Sequence, residues 1–244
     1  MENIRERLET LITTLKNTPH INVRNAVIGD GASSAEIGRA KRAANGRLPT
    51  DVEAFYRSVG WFKLEWKHTV KEIAEGDMCD QGFINILPIE EVWGNWAGII
   101  WFGPDDESEE EEEEDKDPSY GGDKGKNKAA EDDASESGYV DYSFRPVRPF
   151  DTFVPEACMA FLQPVGKGRK AQPADQVAFH YCGEELCKTR YTFAEYIDRL
   201  IASRGMFYWC ESLCVDRQDS AQTMEFRRKM PVLFPDYDDS LFQP

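Results

Sequence analysis

Eleven of the thirteen residues from 105 to 117 are acidic, and a segment with that density of like charge has no place in a hydrophobic core. Self-repulsion and a lack of apolar side chains predict a disordered insertion over 104–138, where the acidic run is followed by a stretch rich in Gly, Lys, Ser and Ala. The fold must therefore be assembled from the two blocks of chain on either side, with structure resuming near Tyr139. The insertion also accounts for most of the charge. Residues 104–138 hold 16 acids and 4 lysines, and the other 209 residues hold 29 acids and 25 bases, so the formal net charge of −16 divides into −12 on the insertion and −4 on the body. Such a body lacks the basic surface that phosphate neutralisation requires, and nucleic acid is not an expected partner.

The two blocks have the material for one core. Apolar residues make up 41% and charged residues 30% of the 244, the profile of a globular domain, which at this length buries about 70–75% of its unfolded surface. No run reaches the ~18 consecutive apolar residues of a membrane helix, and residues 1–7 are charged rather than a signal-peptide apolar stretch, so the sequence reads as cytoplasmic with no membrane partner. Six cysteines (Cys79, Cys158, Cys182, Cys187, Cys210 and Cys214) occur without a Cys-x-x-Cys pair, which suits reduced thiols better than a disulfide framework.

Apolar periodicity predicts the elements. Ile4, Leu8, Leu11, Ile12 and Leu15 recur at helical spacing over an N-terminal helix, 2–16, that ends near Asn17 before Thr18-Pro19. Three Ser/Thr-x-x-Glu signatures, in which the hydroxyl caps backbone amides and the carboxylate reaches back, predict helix starts at Ser33–Glu36, Thr50–Glu53 and Thr192–Glu195. The first of these helices holds Ile37, Ala40 and Ala44 and stops at Asn45-Gly46. The second runs through Phe55, Tyr56 and Val59 to Gly60, and the third presents Phe193, Tyr196, Ile197, Leu200 and Ile201 as one apolar face with Gly205 just beyond. Strands are expected where Phe62, Leu64 and Trp66 alternate with Lys63 and Glu65, over 83–87 and 98–102, and around 139–144, 157–162 and 176–181. Residues 88–93 read as one helical turn. Aromatic segments at 207–209 and 233–237 predict that a C-terminal extension, 206–244, docks on the body. The expected fold class is α+β: a single domain with a mostly antiparallel sheet and packed helices, its core over 30–205 carrying the insertion.

Four passages in this order resemble the SUKH superfamily of bacterial immunity proteins and fungal cell-wall regulators. They are Ser34-Ala35-Glu36-Ile37; Leu48-Pro49-Thr50-Asp51 with Phe55, Tyr56 and Gly60; Ile84-Asn85-Ile86-Leu87-Pro88-Ile89-Glu90-Glu91-Val92; and Tyr191-Thr192-Phe193-Ala194-Glu195-Tyr196-Ile197 with Leu200. They span about residues 30–205. The resemblance implies an α+β sheet with helices and a role in binding and neutralising a cognate toxin, with no shared catalytic residue. The insertion and the extension after Gly205 depart from the compact family pattern.

No pattern points to chemistry. His20, His68 and His180 lie in no metal or nucleophile motif, and Cys182 and Cys187 beside His180 lack the second pair that a zinc site needs. There is no phosphate-binding glycine loop and no Gly-x-Ser-x-Gly elbow. No enzyme activity, catalytic residue, metal or cofactor is expected. The acidic run, with Asp105, Asp106, Glu107, Glu109, Glu110, Glu111, Glu112, Glu113, Glu114 and Asp115, is either a solvated linker or an electrostatic lure for a basic protein, such as a nuclease toxin whose cleft must attract phosphate. Core packing is the commoner fate of Trp61, Trp66, Trp93, Trp96 and Trp101, but Trp93 and Trp96 flank Gly94-Asn95 beside the insertion and are candidates for an apolar anchor within an acidic rim. The function expected is that of an immunity protein covering the active site of a cognate toxin with a basic surface. A regulatory scaffold like the fungal members is the alternative, and a hydrolase around His180 or His68 a third reading.

Overall fold

The computed structural model describes residues 2–44, 46–94, 147–162, 176–181 and 185–243. The strands expected at 98–102 and 139–144, the insertion, Trp96, Trp101 and Cys182 lie outside the described residues. Helix α1, Ile4–Asn17, buries Ile4, Leu8, Leu11 and Leu15. Helix α2, Ser34–Ala43, starts with a complete capping box: Glu36 N–H donates to Ser33 Oγ, and Ser33 N–H donates to the Glu36 carboxylate.

Helix α3, Thr50–Ser58, corrects the second expected box. Its N-cap is Pro49, so Thr50 is already inside the helix and no side chain caps it, while Glu53 pairs with Lys41 and Arg57, each at 2.7 Å. Asp51 is used instead. Its carboxylate accepts from Val52 N–H at 2.9 Å and, across the fold, from Ala194 N–H at 2.9 Å.

Among the described residues, seven strands form one antiparallel sheet in sequential order: β1 Ile21–Ile28, β2 Phe62–His68, β3 Gln81–Ile86, β4 Val147–Val154, β5 Ala157–Leu162, β6 Gln176–Tyr181 and β7 Glu185–Thr192. With helices α4 Ile89–Val92, α5 Phe193–Ser203 and α6 Ala221–Leu233, the architecture is α+β. Strands β2, β3, β5 and β6 and the turn at α4 follow the sequence; β1, β4 and β7 were not foreseen. Consecutive strands pair with one another, but β3 and β4 share a single register pair, Ile86 opposite Asp151. The acidic insertion is spliced into the connection between them.

One continuous core joins α1, α2, α3 and α5 to the inward face of the sheet and to the C-terminal extension. Phe55 of α3 meets Phe193 of α5 edge-on at 5.3 Å, and Phe150 packs on Phe161 at 4.4 Å. Strand β5 alternates between two layers: Met159 and Phe161 join the main core, while Cys158 and Ala160 join a smaller cluster with Val147. Beyond α5, Trp209 packs on Tyr196 at 5.2 Å and Phe234 meets Trp66 edge-on at 5.7 Å, so the aromatic extension is part of the core. Each such ring contributes about 1.5–3 kcal/mol by leaving water. Among the described residues, no helix is long and apolar enough to cross a membrane.

Candidate partner-binding surface

The residues expected to carry function meet the fold at one place, the connection after β3. Pro88 opens α4, and the helix ends at Trp93 and Gly94, ten residues before the acidic run. The chain returns at β4, where the Arg148 guanidinium donates to Gly94 O at 2.9 Å. This bond ties the departing and returning strands of chain together, so the root of the insertion is closed whatever lies between. Arg148 Nε, buried beside it, has no hydrogen-bond partner among the described residues.

Trp93 stands at this root but faces inward. It is 8% exposed and stacks on Phe161 at 5.3 Å, so an anchoring role would require it to leave that stack. The acids from Asp105 to Asp115, like Trp96, lie outside the described residues.

Beside the root lies a groove of about 490 Å³, which sequence reasoning did not identify. Its walls come from three separate segments: Gly29, Asp30, Gly31 and Ala32 after β1; Gly60 and Trp61 before β2; and Pro88, Ile89 and Glu90 at α4, with Glu36 on its rim. The glycines let these segments touch. A Cβ at Gly29 would lie 2.3 Å from the Trp61 ring, at Gly31 2.1 Å from Arg57 O, and at Gly60 2.0 Å from Asp30 O. Gly29 N–H donates to Trp61 O at 2.8 Å and Ala32 N–H to Tyr56 O at 2.7 Å, while the Arg5 guanidinium fastens Gly29 O and Ser58 O from behind. The floor is thus backbone and indole, and among the described residues the charged lining consists of Asp30, Glu36 and Glu90, with no base. Glu36 is held by the α2 cap, which keeps its carboxyl below the usual range, and Glu90 pairs with Arg39. A second groove, of about 590 Å³ along α1, has mixed charge, and its Arg204 is matched by Asp236 at 2.6 Å.

The buried titratable groups lie elsewhere. Asp151 is 1% exposed and accepts from Tyr196 O–H at 2.7 Å and Asn85 N–H at 2.8 Å; burial pushes its carboxyl up to about 6 against the pull of those two donors. His68, 2% exposed, sits 3.3 Å from Asp80, and Lys229 of α6 donates to Cys79 O at 2.9 Å with Asp80 at 3.4 Å. Burial lowers the His68 and His180 pKa values, the latter to about 4. Neither histidine lines either groove, and among the described residues no three His, Cys, Asp or Glu side chains converge as metal ligands. These groups join elements of the fold: β3 to β4 to α5, and the loop before β3 to α6.

The chain matches no family model, no curated protein and no solved structure.

Proposed function

We propose that this chain is a protein-binding inhibitor of the immunity type, with a SUKH-like fold, which covers the active site of a basic toxin enzyme in the cytosol of the producing cell. The observation that carries the reading is the placement of charge. A net −12 is concentrated on 104–138, and that segment is spliced in at a stem closed by Arg148 and Gly94, beside a groove whose charged lining is acidic. An anionic segment tethered to a folded body accelerates encounter with a basic partner, and contacts on the body then determine how long the complex lasts. Two passages of the SUKH resemblance also meet in space: Asp51 of Leu48-Pro49-Thr50-Asp51 accepts from Ala194 N–H, and Phe55 packs on Phe193. The described cysteines are all free thiols, which fits a reducing compartment.

The test is inhibition. The enzyme encoded beside this chain's gene is assayed with increasing amounts of the purified chain, and activity is expected to fall to zero at a fixed stoichiometry. Full activity at saturating chain concentration would contradict the proposal.

A further inference from the structure

We infer that the groove between Gly29–Ala32, Gly60–Trp61 and Pro88–Glu90 is the docking slot for an arginine-bearing extended segment of the partner. The inference deepens the proposed function and rests on it. Three features of the groove select this occupant. Among the described residues its charged lining is Asp30, Glu36 and Glu90 without a base, and the described cations beside it are engaged: Arg57 and Lys41 with Glu53, Arg39 with Glu90 and Arg5 with backbone carbonyls. The Asp30 carboxylate, exposed at the rim, makes no hydrogen bond or ion pair with a described residue, so a carboxylate is left for an incoming cation. Trp61 is half-buried, packs against Gly29 and lines the groove, which supplies an aromatic wall for a guanidinium.

Arginine fits this chemistry better than lysine, because a planar guanidinium can stack on the indole while forking to a carboxylate. The volume of about 490 Å³ admits one or two side chains with their backbone, not a folded element. Acid rim and acidic run then act in series: the run sets how often a basic partner arrives, and the slot holds one arginine in register.

The experiment uses the full-length chain and the peptide acetyl-Arg-Gly-Arg-amide, with its citrulline counterpart as the uncharged control. Binding is read by the shifts of the Trp61 indole N–H, assigned from Trp61→Phe, and of the Gly29, Gly31 and Gly60 amides. Saturable shifts at these groups are expected with arginine and not with citrulline, and Asp30→Lys/Glu90→Lys should weaken binding roughly tenfold or more with an unchanged unfolding midpoint. A second full-length variant, with the eleven acids of 105–117 replaced by Asn and Gln, should keep the groove shifts. Shifts confined to other residues, or lost when only the run is neutralised, would overturn the inference. The toxin assay separates the two claims. If Asp30→Lys/Glu90→Lys inhibits as well as the parent, the slot is wrong and the proposed function stands; groove binding without inhibition keeps the slot and removes the immunity role.

Discussion

Asp151 is the residue on which the middle of the sheet turns, and replacing it should show this with a size and a pH signature. Strands β3 and β4 share one register pair, and the Asp151 carboxylate completes the seam by accepting from Asn85 N–H on β3 and Tyr196 O–H on α5. In Asp151→Ala both donors are left without an acceptor in the interior, at about 1–3 kcal/mol each, or about 2–6 kcal/mol together. Asp151→Asn keeps an oxygen for Asn85 N–H and offers an amide to Tyr196 Oη, and it carries no charge into the interior, so at neutral pH it should be neutral to stabilising, with any loss confined to acid pH. The titration separates it from an ordinary core residue. Its carboxyl is raised from 3.8 to about 6 in the folded chain, so the folded state holds its proton more tightly than the unfolded state. That contribution is fully present below about pH 4 and is lost as pH rises through about 6, roughly 3 kcal/mol in all. Urea unfolding from pH 4 to 8, read by far-UV circular dichroism, should show this decline in the difference between the parent and Asp151→Asn, in which the other carboxylates cancel. A loss below about 1 kcal/mol for Asp151→Ala at pH 4, where the carboxyl is protonated in both states, or a parent-minus-Asn difference that is flat with pH, would refute the reasoning.

Three further outcomes follow from the same contacts. Lys229→Met removes the cation beside Asp80 and the donor to Cys79 O, leaving a buried carboxylate short of its partner; urea unfolding should register a loss of about 3–5 kcal/mol. Gly205→Ala places a methyl 2.5 Å from Ile84 at a backbone φ of +71°, and the combined strain and overpacking should lower stability by about 2–4 kcal/mol in the same assay. Deleting 105–117 should leave the unfolding midpoint within experimental error, because Arg148 and Gly94 close the stem independently, while slowing association with the toxin enzyme at low salt; an unchanged association rate would remove the electrostatic role.

The parts of the fold legible in the sequence were those with local signals. The capping boxes at Ser33 and Thr192 and the alternation of β2 mark their elements in a few consecutive residues. Strand β1 escaped because a register shift between Val23 and Asn25 breaks its alternation in the middle. Strand β4 carries Pro149 and the acid Asp151, both of which argue against a central strand until their partners on β3, β5 and α5 are known. Strand β7 alternates around a polar inward residue, Thr189, whose hydroxyl donates to Val177 O at 2.7 Å. The groove was invisible for a different reason. Asp30, Glu36, Trp61 and Glu90 come from four places in the chain, and what brings them together is three glycine contacts with no local periodicity. Trp93 shows the converse: its loop-like neighbours suggested exposure, whereas Phe161, far along the chain, holds it in the core.

The central claim is tested most directly in living cells. The adjacent-gene product is expressed alone and together with this chain, growth is followed, and the complex is recovered through a tag on the chain. The account predicts that the product is lethal alone, that the chain restores growth, and that the two proteins copurify. Lethality undiminished at equal expression of the chain, or growth restored without any complex, would contradict it.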